Sequence, residues 1–581
     1  MKFIHFSGLE KNLNCLNKDN VILSWNLSDN YFKNYKKKEI FQVSKIWQKN
    51  KSKIKNKILL LRKKILSQLC RELNYLNKIN YSKKEWEILL EPWLNNYLLG
   101  TYFKWIIISK LIADYKKISF LELKVKNNVP VFDTLQFTAL NHNDDIYNHL
   151  SFQDILKFKN IPREKKVLKK NFQIQEELIY KIYKKIKNNY FLLLYERIID
   201  KLINTKILIN IRTTKINFLK ICLKLNILPF KGISLFNRNK IIDISNKNSF
   251  DLIKRKKLNF KVNKDNEFEN FIFNKIKRDI PRVLIEDFND IKNLHKNELE
   301  KIDSVLTDTM HWNNPIFKSW LAYKKNFNKN FKIITAAHGG VYGGVPFYDY
   351  NQSISTIEFK YQKKILKNQI RLPCLFLEKY NRKFINKILF ICTNVPKYPK
   401  HFSTGPLSDE INFNYIQIKK FAENITKENK KKIYIRPYVE QTAWEQDKRY
   451  QQLVDFKRII YSNNTYEKLR RSAAIKIVNY PQTAFLESII NGPTFLLFNP
   501  IHYNEIKENK KFMKILFKSK IAFKDGKKLA IHLNKVGNDI MSWWNQKKIQ
   551  NSIKLFINNT NFVNSNPTSN WAKNISKILN N

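Results

Sequence analysis

Short apolar runs separated by amphipathic stretches divide the chain. Lys2-Phe3-Ile4 and Val21-Ile22-Leu23 predict strands over residues 1–7 and 21–25. From about residue 35 to residue 117 the period becomes helical. Ile58, Leu61, Ile65 and Leu69 recur there with lysines and arginines between them. Trp86, Trp93, Tyr97 and Trp105 fall in the same region and read as aromatic packing between helices. Residues 131–170 show no period and predict an irregular, solvated stretch, and residues 176–203 predict another long amphipathic helix.

Beyond this point strands and helices alternate. Strands are predicted at 207–211, 304–306, 332–336, 387–393, 432–436, 455–461, 475–478 and 493–498. Helical stretches are predicted at 218–225, 271–291, 316–325, 412–425, 465–472, 483–490 and 512–517. Strands joined by helices of this length imply parallel, doubly wound sheets. Two such runs, broken near 367–383, imply an α/β chain of two Rossmann-like halves facing a cleft, with a large helical insertion at about 36–203. Residues 558–581 read as a polar tail apart from Trp571 and 575–579.

At 581 residues the chain exceeds one ordinary core, and 43% hydrophobic residues suffice for a globular protein. The formal charge of +58 points toward nucleic acid or an anionic surface. Lysine, however, runs with asparagine and isoleucine along the whole chain, which is the mark of AT-rich codons. No basic face or binding module stands out, so specific nucleic-acid binding is the reading of another class, set second. Five widely spaced cysteines form no C-x-x-C pair. His142, Asp144, Asp145 and His149 lack a ligand spacing, so no metal is expected. The N-terminus lacks the apolar core of a signal peptide, and no apolar run nears the ~20 residues a membrane helix needs. A cytoplasmic chain is expected, with peripheral contact to the anionic inner membrane through its charge.

Four of the 11 glycines, Gly339, Gly340, Gly343 and Gly344, fall within IITAAHGGVYGGVPFYDY, residues 333–350. Glycine lets a ligand approach the main chain, so this loop after a strand is a candidate cleft wall presenting His338 and Tyr342. His338 is a candidate acid, base or phosphate contact, or else a histidine bonded to the loop backbone. In IVNYPQTAFLESIINGPTFLLF a strand ends near Asn479 and a helix starts near Thr483. Thr483 reads as a capping hydroxyl at a phosphate-binding helix start. Glu487, one turn on, reads as a partner for ribose hydroxyls. The alternative is a capped core helix with Glu487 facing solvent. Arg436, at a strand end, suits a phosphate or carboxylate, or an internal pair with Glu440 or Asp447. TNVPKYPKHFSTGPLSDE adds Tyr398 and Ser408 after another strand end.

The order IPRVLIEDF, NNPIFKSWLA, HGGVYG, PKYPKHFSTGPLSDE, RPY, QTAFLESIINGPTFLLF and SWWN resembles one family, as does LNYLN…EWEILLEPWL earlier in the chain. It is a bacterial transferase family encoded in surface-polysaccharide (O-antigen, lipopolysaccharide and capsule) gene clusters, in the company of GT-B glycosyltransferases. The resemblance covers about residues 73–571. It implies an N-terminal acceptor-side domain at 1–375, a C-terminal nucleotide-donor domain at 376–560 and a tail at 561–581. It also implies transfer of a sugar from a nucleotide donor, CMP- or other NDP-linked, to a glycan or lipid-linked acceptor. The chain departs from the family's pattern at 351–369, which offers one acidic residue, Glu358, and no tryptophan. Asp349 and Glu358 are reserve candidates for the base. No D-x-D motif lies at a strand end, so a metal-independent reaction without a cofactor is expected. A CDP-alditol-type phosphotransferase and a catalytically silent paralogue are the alternatives within the fold.

Overall fold

A computed structural model describes the chain except for residues 1, 13–18, 29–37, 125–129, 165–205, 234, 238, 248–249, 264, 296–298, 340–348, 363–365, 376, 378, 380–383, 400–404, 439–443, 452, 504–508, 562 and 581. The helix expected at 176–203 lies outside the described residues, as do Gly340, Tyr342 and Gly343. The chain divides into two compact units. The first comprises Met1–Arg212, Asn226–Ala336 and Tyr348–Glu358, and the second Thr213–Leu225, Ala337–Phe347 and Phe359–Asn581. The two units interleave along the chain, and residues 561–581 belong to the second.

In the first unit β1 (Lys2–His5), β2 (Asn20–Leu23), β3 (Lys38–Phe41), β4 (Ile118–Leu121) and β5 (Arg163–Glu164) form a sheet ordered β3-β2-β1-β4-β5. Its pairings are parallel. Every residue of β2 and β4 is buried, as expected for strands covered on both faces. β6 (Ile207–Asn210), β7 (Ser304–Thr307), β8 (Lys332–Ala336) and β9 (Ile357–Lys360) follow in a second sheet, with β6, β7 and β8 parallel.

Between β3 and β4 run two long helices, Val43–Asn77 and Lys83–Asp114, packed on one another. Ser82 starts the second with a capping box. Its hydroxyl accepts the Lys84 N–H at 3.2 Å, and its own N–H donates to Glu85 Oε2 at 2.6 Å. This helix is buried on nearly all sides, as a central core helix is. Trp93 stacks on Tyr97 with centroids 4.8 Å apart, and the Trp86 indole N–H donates to Asn74 at 2.8 Å. The aromatic set is thus packing, as the spacing predicts. A buried Arg62–Glu91 pair also joins the two helices. Burial pushes the Glu91 carboxyl up to about 7 against the pull of Arg62.

The stretch expected to be irregular, 131–170, folds into helices Thr134–Asn143 and Asp145–Phe158. Asp133 and Asp144 cap them, accepting the Gln136 N–H at 2.9 Å and the Tyr147 N–H at 2.6 Å. Both helices bury residues around much of their circumference, which erases the period. His149 is accordingly a core residue, 1% exposed. Among the described residues no cluster of His, Cys, Asp and Glu is arranged to hold a metal. No described helix is long and apolar enough to cross a membrane.

The second unit contains β10 (Gln369–Arg371) and a third sheet of β11 (Ile385–Ile391), β12 (Ile433–Arg436), β13 (Ala473–Val478), β14 (Thr494–Leu497) and β15 (Ala522–Phe523). The third sheet is ordered β12-β11-β13-β14-β15, all parallel. The segment at 455–461, expected as a strand, is a 3-10 turn at Phe456–Arg458 with one bridge from Ile459 to Ile435. Residues 567–580 form a packed helix rather than a polar tail. It lies against the Lys215–Lys224 helix, and Trp571 donates to the Pro373 carbonyl at 2.8 Å. The Trp571 ring meets Phe359 edge-on at 5.3 Å.

The core of this unit closes through a glycine. A Cβ on Gly526 would lie 1.9 Å from the Gln417 carbonyl oxygen, where helices Ile411–Asn424 and Gly526–Val536 touch. Gly526→Ala is expected to cost about 1–3 kcal/mol in denaturant unfolding, because backbone has to move. A second expectation concerns pH. His295 is 1% exposed and bonds Ser319 Oγ at 2.8 Å, and burial pushes its imidazole down to about 4. The folded value lies below the unfolded one, so this contribution is complete above pH ~6.5 and is lost toward pH 4. Stability is expected to fall by up to about 3 kcal/mol across that window, and less in His295→Gln.

Candidate functional site

The third sheet has the doubly wound order 2-1-3-4-5, and its direction of winding reverses between β11 and β13. Ligands of open parallel sheets bind beyond the carboxyl ends of the strands at such a point. Asn479 directly follows β13. Its N–H donates to the Ile391 carbonyl at 3.2 Å, and its Oδ1 accepts the Thr393 N–H at 2.6 Å. Asn394 follows β11, with its Oδ1 accepting from Val395 N–H at 2.9 Å and Tyr415 Oη at 3.3 Å. Because both carbonyl oxygens are held by donors, the orientation of each amide is defined. Among the described residues both Nδ2 groups are then left without a partner, although Asn479 is 1% and Asn394 7% exposed. A buried, unmatched amide costs about 1–3 kcal/mol, and a ligand that accepts from it offsets that cost. Neither asparagine was among the expected site residues. Their one sequence signal is position, each standing within three residues of the end of a central strand.

The first sheet has its own reversal, between β1 and β4, and fills it with side chains. Glu10 accepts the Phe6 N–H at 3.0 Å, the Ser7 N–H at 3.1 Å and the Ser7 hydroxyl at 3.0 Å. His149 bonds Ser7 Oγ at 3.0 Å and the Leu121 carbonyl at 2.9 Å, and lies 3.2 Å from Glu10. Burial opposes the Glu10 charge, but His149, His5 and backbone N–H groups outweigh it and hold the carboxyl below its ordinary value. An internal carboxylate thus occupies the anion position of this sheet.

The glycine loop and the 477–498 stretch, far apart in sequence, meet within the second unit. A Cβ on Gly339 would lie 2.7 Å from Thr483 Oγ1. Thr483 is the first residue of a seven-residue helix, Thr483–Ile489, and the capping position is Gln482, whose side chain makes no cap bond. The expected role of Thr483 as cap is therefore corrected: its hydroxyl faces the loop. Glu487 is half-buried and pairs with Arg470 Nη1 at 3.2 Å rather than facing solvent alone. Burial raises its carboxyl, with Arg470 opposing. Tyr480 joins this neighbourhood. Burial, then Tyr466, Tyr438 and Glu487, push its phenol well above the ordinary value.

Other expected site residues are committed elsewhere. Arg436 is 4% exposed and donates to the carbonyls of Ile460 at 2.9 Å and Tyr461 at 2.6 Å and to Asn463 Oδ1 at 2.6 Å. Tyr466 covers its guanidinium at 4.9 Å. Arg436 thereby anchors the loop after β12; Glu440, one of the partners expected for it, lies outside the described residues. Tyr398 is 1% exposed, and buried Ser408 donates to the Lys397 carbonyl at 2.6 Å. Asp349, in the first unit, caps helix Tyr350–Ile354 by accepting the Gln352 N–H at 3.2 Å. Glu358, also there, is buried within β9. A cap and a buried strand residue are poorly placed as a base. His338 is exposed.

A doubly wound parallel sheet with unmatched donors beyond its central strands is the plan of an α/β protein that binds small molecules. The chain belongs to the LIC12162 transferase family, whose model matches residues 2–575. No curated protein is similar to it in sequence. Among solved structures it is similar to S. aureus MnaA bound to UDP (13% identity, 65% of this chain and 97% of that one, TM-score 0.34). It is also similar to Acinetobacter baumannii MurG (12%, 64% and 100%, 0.31) and to Anabaena HepE with UDP and glucose (7%, 65% and 100%, 0.31). Similarity this low sets no residue of this chain against a residue of theirs.

The Gly339–Thr483 approach yields a double-mutant test. Gly339→Ala is expected to destabilise the protein through the clash with Oγ1. Adding Thr483→Ala should recover much of the loss, with a coupling of about 1 kcal/mol in denaturant titrations.

Proposed function

We propose that the chain transfers a sugar from a nucleotide-activated donor to a surface-polysaccharide or lipid-linked glycan acceptor, as a GT-B-type glycosyltransferase. The observation that carries this reading is the meeting of Gly339 with Thr483 in the unit that also leaves Asn394 and Asn479 with unmatched donors. Membership of a transferase family supports it. The donor's nucleotide would bind beyond β11 and β13, its phosphates accepting from the two amides. Glu487, held at one side by Arg470, would accept from ribose hydroxyls.

Transfer breaks the bond between the anomeric carbon and the phosphate oxygen, and forms one to the acceptor oxygen. The acceptor hydroxyl gives up its proton, and the nucleotide leaves with added negative charge. Donors fixed before the reaction stabilise that charge without reorganising. His338, exposed and tunable near neutral pH, is the proposed acid/base or phosphate contact. With no D-x-D at a strand end, charge stabilisation by protein donors without a metal is the proposed mode. The +58 charge suits work at an anionic membrane, where lipid-linked acceptors reside.

Two measurements test this. UDP, CDP, GDP or CMP at about 100 times its Kd should stabilise the protein by roughly 2.7 kcal/mol, read as a rise in Tm. Silence toward all four would count against any nucleotide donor. His338→Ala should keep its Tm and lose roughly 10²-fold in turnover. Turnover near wild type in that variant would remove His338 from the mechanism.

A further inference from the structure

The helical part of the first unit holds a partly open cavity of about 40 Å3, apart from the strand ends described above. Helices Lys83–Asp114, Thr134–Asn143, Asp145–Phe158 and Glu267–Asp279 contribute to its wall. The charges in that wall do not balance. Lys275 pairs with Asp154 and, at 2.9 Å, with Asp279. Arg278 bridges the same carboxylates, at 2.5 Å to Asp154 and 3.1 Å to Asp279. Tyr97 adds a hydrogen bond to Asp279 at 3.0 Å. Two carboxylates are thus fully matched by two cations, and the third cation of the wall, Lys104, is surplus.

Lys104 is 5% exposed, yet it makes no hydrogen bond or ion pair with any described residue. Its ammonium lies 5.9 and 5.8 Å from the ring centroids of Tyr147 and Phe152, with Asp154, Asp279 and Lys275 in the same wall. A lysine so placed is costly unless something else meets its charge. We propose that the cavity is a binding site for one small oxyanion, a phosphate or carboxylate group, held by Lys104 with Lys275 and Arg278 behind it. Size decides the class. A water needs roughly 10–15 Å3 of such space, so this cavity has room for a few waters or one oxyanion group. Burial, and then Lys275, push the Lys104 ammonium down to about 7, with Asp279 and Asp154 opposing. A bound anion would restore its charge. This inference does not rest on the donor-transfer reading, which concerns the second unit.

The test titrates the full chain with inorganic phosphate, and separately with acetate, at ionic strength held constant with sodium chloride. Wild type, Lys104→Met and the surface control Lys220→Met are compared by Tm. The expected result is a saturable rise of about 2 °C or more with at least one anion in wild type and Lys220→Met, absent in Lys104→Met. Which anion acts distinguishes a phosphate from a carboxylate ligand. Without anion, Lys104→Met should melt at or above the wild-type temperature, because it removes an unmatched buried charge. No saturable response in wild type, or an equal response in Lys104→Met, would overturn the site. So would a Tm for anion-free Lys104→Met well below wild type, since it would mean that the ammonium is already matched inside the protein.

Discussion

The second unit depends on one asparagine bridging the place where its sheet reverses direction. Asn479 ties the end of β13 to the end of β11 twice, through its own N–H to Ile391 and through its side-chain oxygen to Thr393. These bonds set the two central strand ends side by side and leave its Nδ2 group unmatched among the described residues. The loops carrying Asn394, Tyr480 and Thr483 all issue from those ends. Thr483 in turn demands a glycine at 339, because a side chain there meets its hydroxyl. The constraint is thus one of hydrogen bonding first and of steric fit second.

The two reversal points show how the same topology serves two ends. In the first sheet Glu10 supplies the negative charge itself, taking up the loop N–H groups and the Ser7 hydroxyl within a wholly buried set. In the third sheet, among the described residues, two amide donors remain unmatched. The loops that leave parallel strand ends carry backbone N–H groups that need acceptors. What differs is whether the chain's own acid reaches them. The cavity beside Lys104 repeats the logic with opposite roles, since there the chain provides one cation more than it has carboxylates to match.

Much of the architecture was legible in the chain. The period change between 35 and 117, the strands at 332–336, 432–436 and 475–478, and the short helix at 483 were all readable, because apolar spacing reports directly on burial. Residues 134–158 were not, because helices buried on several faces lose their period, and the caps Asp133 and Asp144 were the remaining sign. The 567–580 helix was misread as tail for a related reason. One buried face held by Trp571 is enough once a partner helix, Lys215–Lys224, is supplied from far away in sequence. The candidate site was half legible. Glycine clustering and a Thr-initiated helix can be seen in a string of letters, whereas the engagement of Arg436 by three backbone and side-chain oxygens cannot.

By itself the sequence determined that this is a parallel α/β chain with a helical insertion, and it singled out 338–344 and 477–487 as stretches to examine for a site. Those properties follow from local spacing, and spacing needs no partner. Only the tertiary structure decided that Gly339 and Thr483 share one unit, that Asp349 is a cap and Glu358 a buried strand residue, and that Asn394, Asn479 and Lys104 are left unmatched among the described residues. Whether a polar group is matched depends on every neighbour that folding brings to it, and those neighbours come from up to hundreds of residues away.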